Sequence, residues 1–300
     1  MIDFHTHIYP KGLPDYNKLY NSNQFVTLEE RDGELWMIYN GERFRRIHKN
    51  CYDLETRVKE MDTLGVEKQV LSPVPILFCY NVPKDQANES AIYINNYLAE
   101  CVERYPNRFM ALGTLPLQDI EQSLFEIESM GDRLIGYEIG SNINGMNLDN
   151  EYFYRIYSKC EKMGKILFVH PWDMMGQDQM SDYWLPWLVG MPAETSRAIC
   201  SMIFGGIFDK FPKLKVVFAH GGGSFCGTIG RIQHGYNVRP DLCGCKCNSS
   251  PIEYCGKFYV DSLVHSGDEL DRIIRLFGEN NVVLGTDYPF PLGESVPGKI

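Results

Sequence analysis

The feature that most restricts how this chain can fold is a repeated alternation. Eight short, largely apolar runs recur along the 300 residues: Ile2–Phe4, Lys68–Leu71, Phe109–Leu112, Leu134–Ile139, Lys165–Val169, Lys215–Phe218, Phe258–Val260 and Asn281–Leu284. They are rich in Val, Ile, Leu and Phe and do not alternate with polar residues. Strands of a parallel sheet covered on both faces read this way. Between them lie seven helical patterns, at Leu54–Leu64, Asp85–Tyr105, Ile120–Met130, Glu151–Met163, Ala193–Lys210, Thr228–Tyr236 and Asp268–Phe277. Several stop at Gly or Pro, as at Leu64-Gly65, Met163-Gly164 and Phe277-Gly278. Strand and helix in rotation predict an α/β fold, a (β/α)8 TIM barrel occupying residues 1–300 as one domain.

Two departures from a regular barrel are expected. Residues 9–53 form a small β insertion after strand one, with turn signals at Arg31-Asp32-Gly33 and Asn40-Gly41. The eighth helix is missing, because only sixteen of the 300 residues follow Leu284 and they are rich in Pro and Gly. An uncovered strand eight exposes apolar surface, so a chain ending here should be less stable than a longer one.

Charge narrows the partners. The chain carries 29 basic and 39 acidic residues, a net −10. Nucleic acid and anionic membranes call for a basic face, so neither is expected, whereas a small anion responds only to local charge. Ala198–Phe208 is among the longest apolar runs and is too short to span a bilayer. The chain opens on its first strand with no basic and apolar leader, and a cytoplasmic location is expected. Ten cysteines fit that setting if reduced; Cys79, Cys101, Cys160 and Cys200 lie on apolar stretches. Cys243-Gly-Cys245-Lys-Cys247 lacks the C-x-x-C spacing of a zinc or redox motif and reads as a loop.

Barrel enzymes place their chemistry at the carboxyl ends of the strands. Strand one ends in His5-Thr6-His7, whose i, i+2 spacing puts two imidazoles on one face. Strand five ends in His170, strand six in His220, and strand eight in Gly285-Thr286-Asp287. Four of the seven histidines and one aspartate therefore meet at one rim. His5, His7, His170 and Asp287 are assigned as metal ligands, a nitrogen and oxygen set suited to one Zn²⁺. An open position there leaves room for water, acidified to a pKa of roughly 7. His220 is not needed for coordination and is the natural general base or acid. Strand four, Leu134–Gly140, contains no lysine to bridge a second ion. Gly221–Gly223 lacks the Gly-Lys-Ser/Thr of a phosphate loop, and after His220 reads as open access to the site.

The stretches Phe168–Met174, Tyr183–Glu194, Lys213–Gly223 and Leu284–Glu294, with these ligands, resemble the amidohydrolase superfamily in its single-zinc decarboxylase branch. The resemblance covers nearly the whole chain. It implies non-oxidative decarboxylation of an unsaturated dicarboxylate semialdehyde of tryptophan (kynurenine) catabolism, a step that limits quinolinate and NAD formation. It implies catalytic roles for His220 and Asp287, and substrate contacts from Arg45, Trp187, Phe44 and Phe290. It further implies a homodimer in which Arg231 reaches the neighbouring subunit's site. The branch carries a lysine in the insertion hairpin, and Tyr39 stands near that position here. Arginine suits a dicarboxylate because its planar fork binds carboxylates through two parallel hydrogen bonds. Water addition before CO2 loss and protonation of the carboxylate-bearing carbon both remain open. Three other readings remain: decarboxylation of another aromatic or unsaturated acid, zinc hydrolysis of an amide or lactone, and an inactive, metal-retaining dimerisation partner lacking its last helix.

Overall fold

The computed structural model describes residues 1–299. Strand β1 (Ile2–Ile8) leads into helix α1 (Tyr16–Tyr20) and an antiparallel sheet of β2 (Thr27–Arg31), β3 (Glu34–Tyr39) and β4 (Glu42–Ile47). Strands and helices then rotate: α2 (Leu54–Leu64), β5 (Lys68–Pro73), α3 (Lys84–Arg104), β6 (Phe109–Thr114), α4 (Ile120–Met130) and β7 (Gly136–Gly140). A small hairpin, β8 (Asn142–Ile143) with β9 (Met146–Asn147), precedes α5 (Tyr154–Met163) and β10 (Ile166–His170). The rest is α6 (Met191–Phe204), α7 (Ile207–Lys210), β11 (Lys215–Phe218), α8 (Phe225–Val238), α9 (Pro240–Cys243), β12 (Tyr259–Asp261), α10 (Gly267–Phe277) and β13 (Val282–Val283).

Eight parallel strands line up in the order β1-β5-β6-β7-β10-β11-β12-β13. The barrel closes where Phe4 N donates to Leu284 O at 2.8 Å and Thr6 bridges to Tyr288. Two apolar layers follow from the two faces of each strand. Val70, Leu112, Phe168 and Val217 form a compact cluster with Ala219, while neighbours such as Leu71, Leu167 and Val216 pack in the larger layer that holds the helices. The expected turns are both present. Asp32-Gly33 and Asn40-Gly41 have consecutive positive φ angles (55° and 77°, 52° and 78°), as tight hairpin turns require.

Strand one runs to Ile8 with both histidines on it, as expected. Two expectations need correction. The pattern Ala193–Lys210 is two helices, because Gly206 takes φ +72° and a Cβ there would lie 2.3 Å from the Lys246 carbonyl. The insertion also contains a helix, α1, held by its Asp15 cap. Among the described residues no helix follows β13, and Val282, Val283 and Leu284 are only half-buried. None of the described helices is long and apolar enough to cross a membrane.

Candidate metal centre

Within β1, His5 and His7 point their Nε2 atoms at each other, 3.1 Å apart. Asp287, beyond β13, sets Oδ1 3.2 Å from His7 Nε2 and 3.6 Å from His5 Nε2. His170, the last residue of β10, stacks edge-on to both, with ring centroids 5.3 and 5.1 Å away. One donor atom from each of the four residues lies within 4.8 Å of the other three, and all four residues are buried. Among the described residues no other set of three or more His, Cys, Asp or Glu side chains converges in this way. Cys243, Cys245 and Cys247 do not, and all ten cysteines are free.

The far side of each ring decides what the near side can do. His5 Nδ1 donates to Asp261 Oδ2 at 2.6 Å, His7 Nδ1 to Pro73 O at 3.0 Å, and His170 Nδ1 to Pro171 O at 3.0 Å. On a neutral ring with Nδ1 protonated, Nε2 carries the lone pair; against its burial, the Asp261 carboxylate draws the His5 pKa above the ordinary range, and an ion there would take the place of a proton. Three lone pairs and a carboxylate then face one another inside a buried space, an arrangement that a divalent cation satisfies. Burial pushes His7 below the ordinary histidine range and His170 far below it, which keeps both neutral. Burial would raise Asp287, but the imidazoles of His7, His5 and His220 beside it hold its carboxyl well below the usual range. The residues therefore fit a bound metal ion.

His220 stands outside the four-donor group with its ring 5.0 Å from that of His170 and 5.2 Å from that of His5. Its φ is +57°, and the three glycines after it also take positive φ. They are cramped rather than open: a Cβ on Gly221 would lie 2.3 Å from Val264, and one on Gly223 would lie 2.4 Å from the Pro192 carbonyl. These glycines turn the backbone so that the His220 ring enters the cavity. The access expected at His220 is present, since His220, Gly221 and Gly223 all line the cavity, although the glycines themselves are closely packed.

The cavity above the donors holds about 380 Å³ and is lined by His7, His170, His220 and Asp287 at its base. Phe44 and Arg45 reach it from β4, Trp187 from a π-helical turn before α6, and Phe290 from the segment after β13. The Arg45 guanidinium carbon lies 4.2 Å from the Phe290 ring centroid and 6.0 Å from that of Trp187. Arg231 is exposed on α8 and does not line this cavity. Tyr39 is not a lining residue either; its hydroxyl accepts from Asn81 Nδ2 at 3.2 Å.

The sequence pattern described as Amidohydrolase matches residues 2–300. The chain belongs to the amidohydrolase family. Two relatives, both named 2-amino-3-carboxymuconate-6-semialdehyde decarboxylase, match along its whole length. The one from Dictyostelium discoideum is 50% identical, and 84% of it is covered. The one from Caenorhabditis elegans is 38% identical, and 88% of it is covered. A 5-carboxyvanillate decarboxylase from Novosphingobium aromaticivorans, solved with manganese and 4-hydroxy-3-methoxy-5-nitrobenzoic acid, superposes with a TM-score of 0.73 at 26% identity. The match covers 81% of this chain and 73% of that one.

Sequence reasoning missed four residues of this amidohydrolase's site. Asp261 ends β12, and its carboxylate accepts from His5 Nδ1, from His220 N at 2.9 Å, from Gly221 N at 2.8 Å and from Leu263 N at 3.1 Å. The strand-end rule that found the ligands applies to it equally. Glu138 of β7 is fully buried 3.7 Å from His7 Nδ1, with neither oxygen hydrogen-bonded. Burial drives its carboxyl well above the usual range. His265 and Glu269 border the cavity. One prediction follows from Asp261. D261N keeps the shape but offers His5 Nδ1 and three backbone amides a weaker acceptor. Metal affinity should fall roughly 10–100-fold, the usual effect of losing an outer-shell carboxylate, as read by competition with a chromophoric chelator.

Proposed function

We propose that this amidohydrolase is a metal-dependent decarboxylase, converting 2-amino-3-carboxymuconate 6-semialdehyde to 2-aminomuconate 6-semialdehyde in tryptophan catabolism. The observation that carries the reading is His220 set against the four-donor group at the floor of a cavity that also holds Arg45. Relatives at 50% and 38% identity bear the corresponding name.

We assign one Zn²⁺ to His5, His7, His170 and Asp287, from the three-nitrogen, one-oxygen donor set. The ion supplies Lewis-acid stabilisation for negative charge that develops during the reaction. Arg45 has no ion-pair partner among the described residues, and its fork is free to take a substrate carboxylate. Phe44, Trp187 and Phe290 pack against the unsaturated chain and exclude water from it. His220 is held neutral, with its pKa lowered to about 4 by burial and by the neighbouring His5, and it lines the cavity as the group to relay a proton from water to the substrate carbon. The carbon–carbon bond to one carboxylate breaks, CO2 leaves, and the electron pair stays on carbon until a proton replaces the carboxylate. No electron acceptor is consumed.

Residues 1–300 act as one unit, since the insertion supplies Phe44 and Arg45 to a site built by the barrel. A homodimer, with Arg231 crossing to the second site, and a cytoplasmic location complete the proposal. The aromatic lining and the nitrobenzoate-bound relative favour decarboxylation of an aromatic acid as the second reading. Purified protein offered carboxymuconate semialdehyde, a resorcylate and a lactone in separate absorbance assays decides among these. Turnover of the first alone supports the proposal, and turnover of only the second or third replaces it. Arg45→Ala should raise KM roughly 10–100-fold, the loss of one charged hydrogen-bonded contact. Steady-state kinetics with unchanged metal content check this.

A further inference from the structure

The segment carrying Asp287 has little strand pairing of its own and is held at the barrel seam by bonds to other elements. β13 pairs with β12 through Val260–Val282 and Asp261–Val283 only, and Asp287 lies four residues beyond it with φ +57°. Three backbone hydrogen bonds tie the segment to β1: Phe4 N to Leu284 O at 2.8 Å, Asp287 N to His5 O at 2.9 Å, and His7 N to Tyr288 O at 2.7 Å. Thr286 N and Oγ1 also donate to Asp3 at 3.1 and 2.6 Å, and Gly285 N to Ser262 Oγ at 3.2 Å. Further support comes from α2. The Arg57 guanidinium carbon lies 4.7 Å from the Tyr288 ring centroid, and Glu60, one turn further on, accepts the Tyr288 hydroxyl at 2.6 Å.

Arg57 is fully buried and has no carboxylate ion-pair partner among the described residues. Its donors go elsewhere: to the His7 carbonyl, to Thr6 Oγ1 at 3.3 Å, to Gln69 Oε1 at 3.4 Å and to Asn50 O at 3.3 Å. A buried, unpaired cation is an expensive way to fill space, and an apolar side chain would do that as well. What distinguishes Arg57 is where its contacts end. One is the main chain of ligand His7, and another is the ring next to ligand Asp287. These ligands come from opposite ends of the sequence and meet only at the barrel seam. A guanidinium suits this task because its planar fork donates along its edge while its face stacks on a ring.

We propose that Arg57 is a positioning residue that fixes His7 and Asp287 at the separation a shared ion needs, acting through the His7 carbonyl and the Tyr288 ring. The inference rests on the metal reading of the site but not on which acid is decarboxylated.

The test compares R57M, R57K and Y288F with the unmodified protein. Three quantities are read: the Zn²⁺ dissociation constant by chelator competition, the visible spectrum of the Co²⁺-substituted protein, and the thermal midpoint. R57M should weaken zinc binding roughly 10–100-fold and shift the Co²⁺ bands. R57K keeps the charge without the fork and should recover only part of the affinity. Y288F keeps the ring beside Arg57 and should lose less than R57M. A lower midpoint for R57M with unchanged zinc affinity and Co²⁺ bands means a purely structural role and overturns the proposal. If R57M does not accumulate as folded protein, Y288L decides: weakened zinc binding supports the role, and unchanged binding removes it. Full metal binding without decarboxylation in the unmodified protein would count against the proposed function alone.

Discussion

His170→Ala should yield a folded protein that no longer retains its metal ion. His170 closes the donor set from β10, opposite the pair on β1, and its Nδ1 bond to Pro171 O fixes the ring with Nε2 facing inward. Because burial holds this imidazole neutral, no proton need leave it before it binds. Alanine leaves two nitrogens and one carboxylate to hold the ion. The affinity loss should exceed the 10–100-fold typical of an outer-shell change. Folding should survive, since β10 keeps its ladders to β7 and β11 and only a side chain at the rim is shortened. Dialysis followed by metal analysis reads the result directly. Thermal unfolding gives a second reading. An ion at 100 times its dissociation constant adds about 2.7 kcal/mol to the native state, so added Zn²⁺ should raise the midpoint of the unmodified protein much more than that of the variant. Stoichiometric metal in dialysed His170→Ala would remove this residue from the ligand set.

Which parts of this arrangement a sequence can reveal follows from how local their causes are. Buried parallel strands must be apolar over several consecutive residues, so all eight were visible as runs. The turns at Asp32-Gly33 and Asn40-Gly41 are written in two residues each. His5-Thr6-His7 is legible because strand geometry alone puts the rings on one face. Asp261 is different: it and His5 are 256 residues apart, and nothing around Tyr259-Val260-Asp261 marks the carboxylate as more than a strand end. Arg57 reads as an ordinary charge on an amphipathic helix, and its burial follows only from the barrel seam closing over it. Gly205-Gly206 looked tolerable inside a helix because the obstacle, the Lys246 carbonyl, belongs to a loop forty residues further along the chain. The same limit explains the glycines after His220. Their number suggested access, which the cavity provides, but their φ angles and close neighbours add a forced turn that no sequence pattern shows.

His220→Ala should separate turnover from metal binding. The ring lies outside the four-donor group, so zinc content and chelator-measured affinity should be near those of the unmodified protein. The main chain that positions it is held independently, with His220 N and Gly221 N both donating to Asp261. Removing the ring therefore leaves the floor of the site in place while deleting a neutral imidazole 5.0 Å, centroid to centroid, from that of His170. A positioned base or acid contributes about 10²–10⁴-fold to a rate, and kcat should fall by that factor. KM should move little, because the proposed substrate contacts, Arg45 and the aromatic walls of the cavity, do not depend on His220. A variant that keeps its metal and turns over normally would show that proton transfer occurs elsewhere. A variant that loses its metal along with activity would instead make His220 part of the coordination sphere, and the division of labour between four ligands and one proton carrier would not stand.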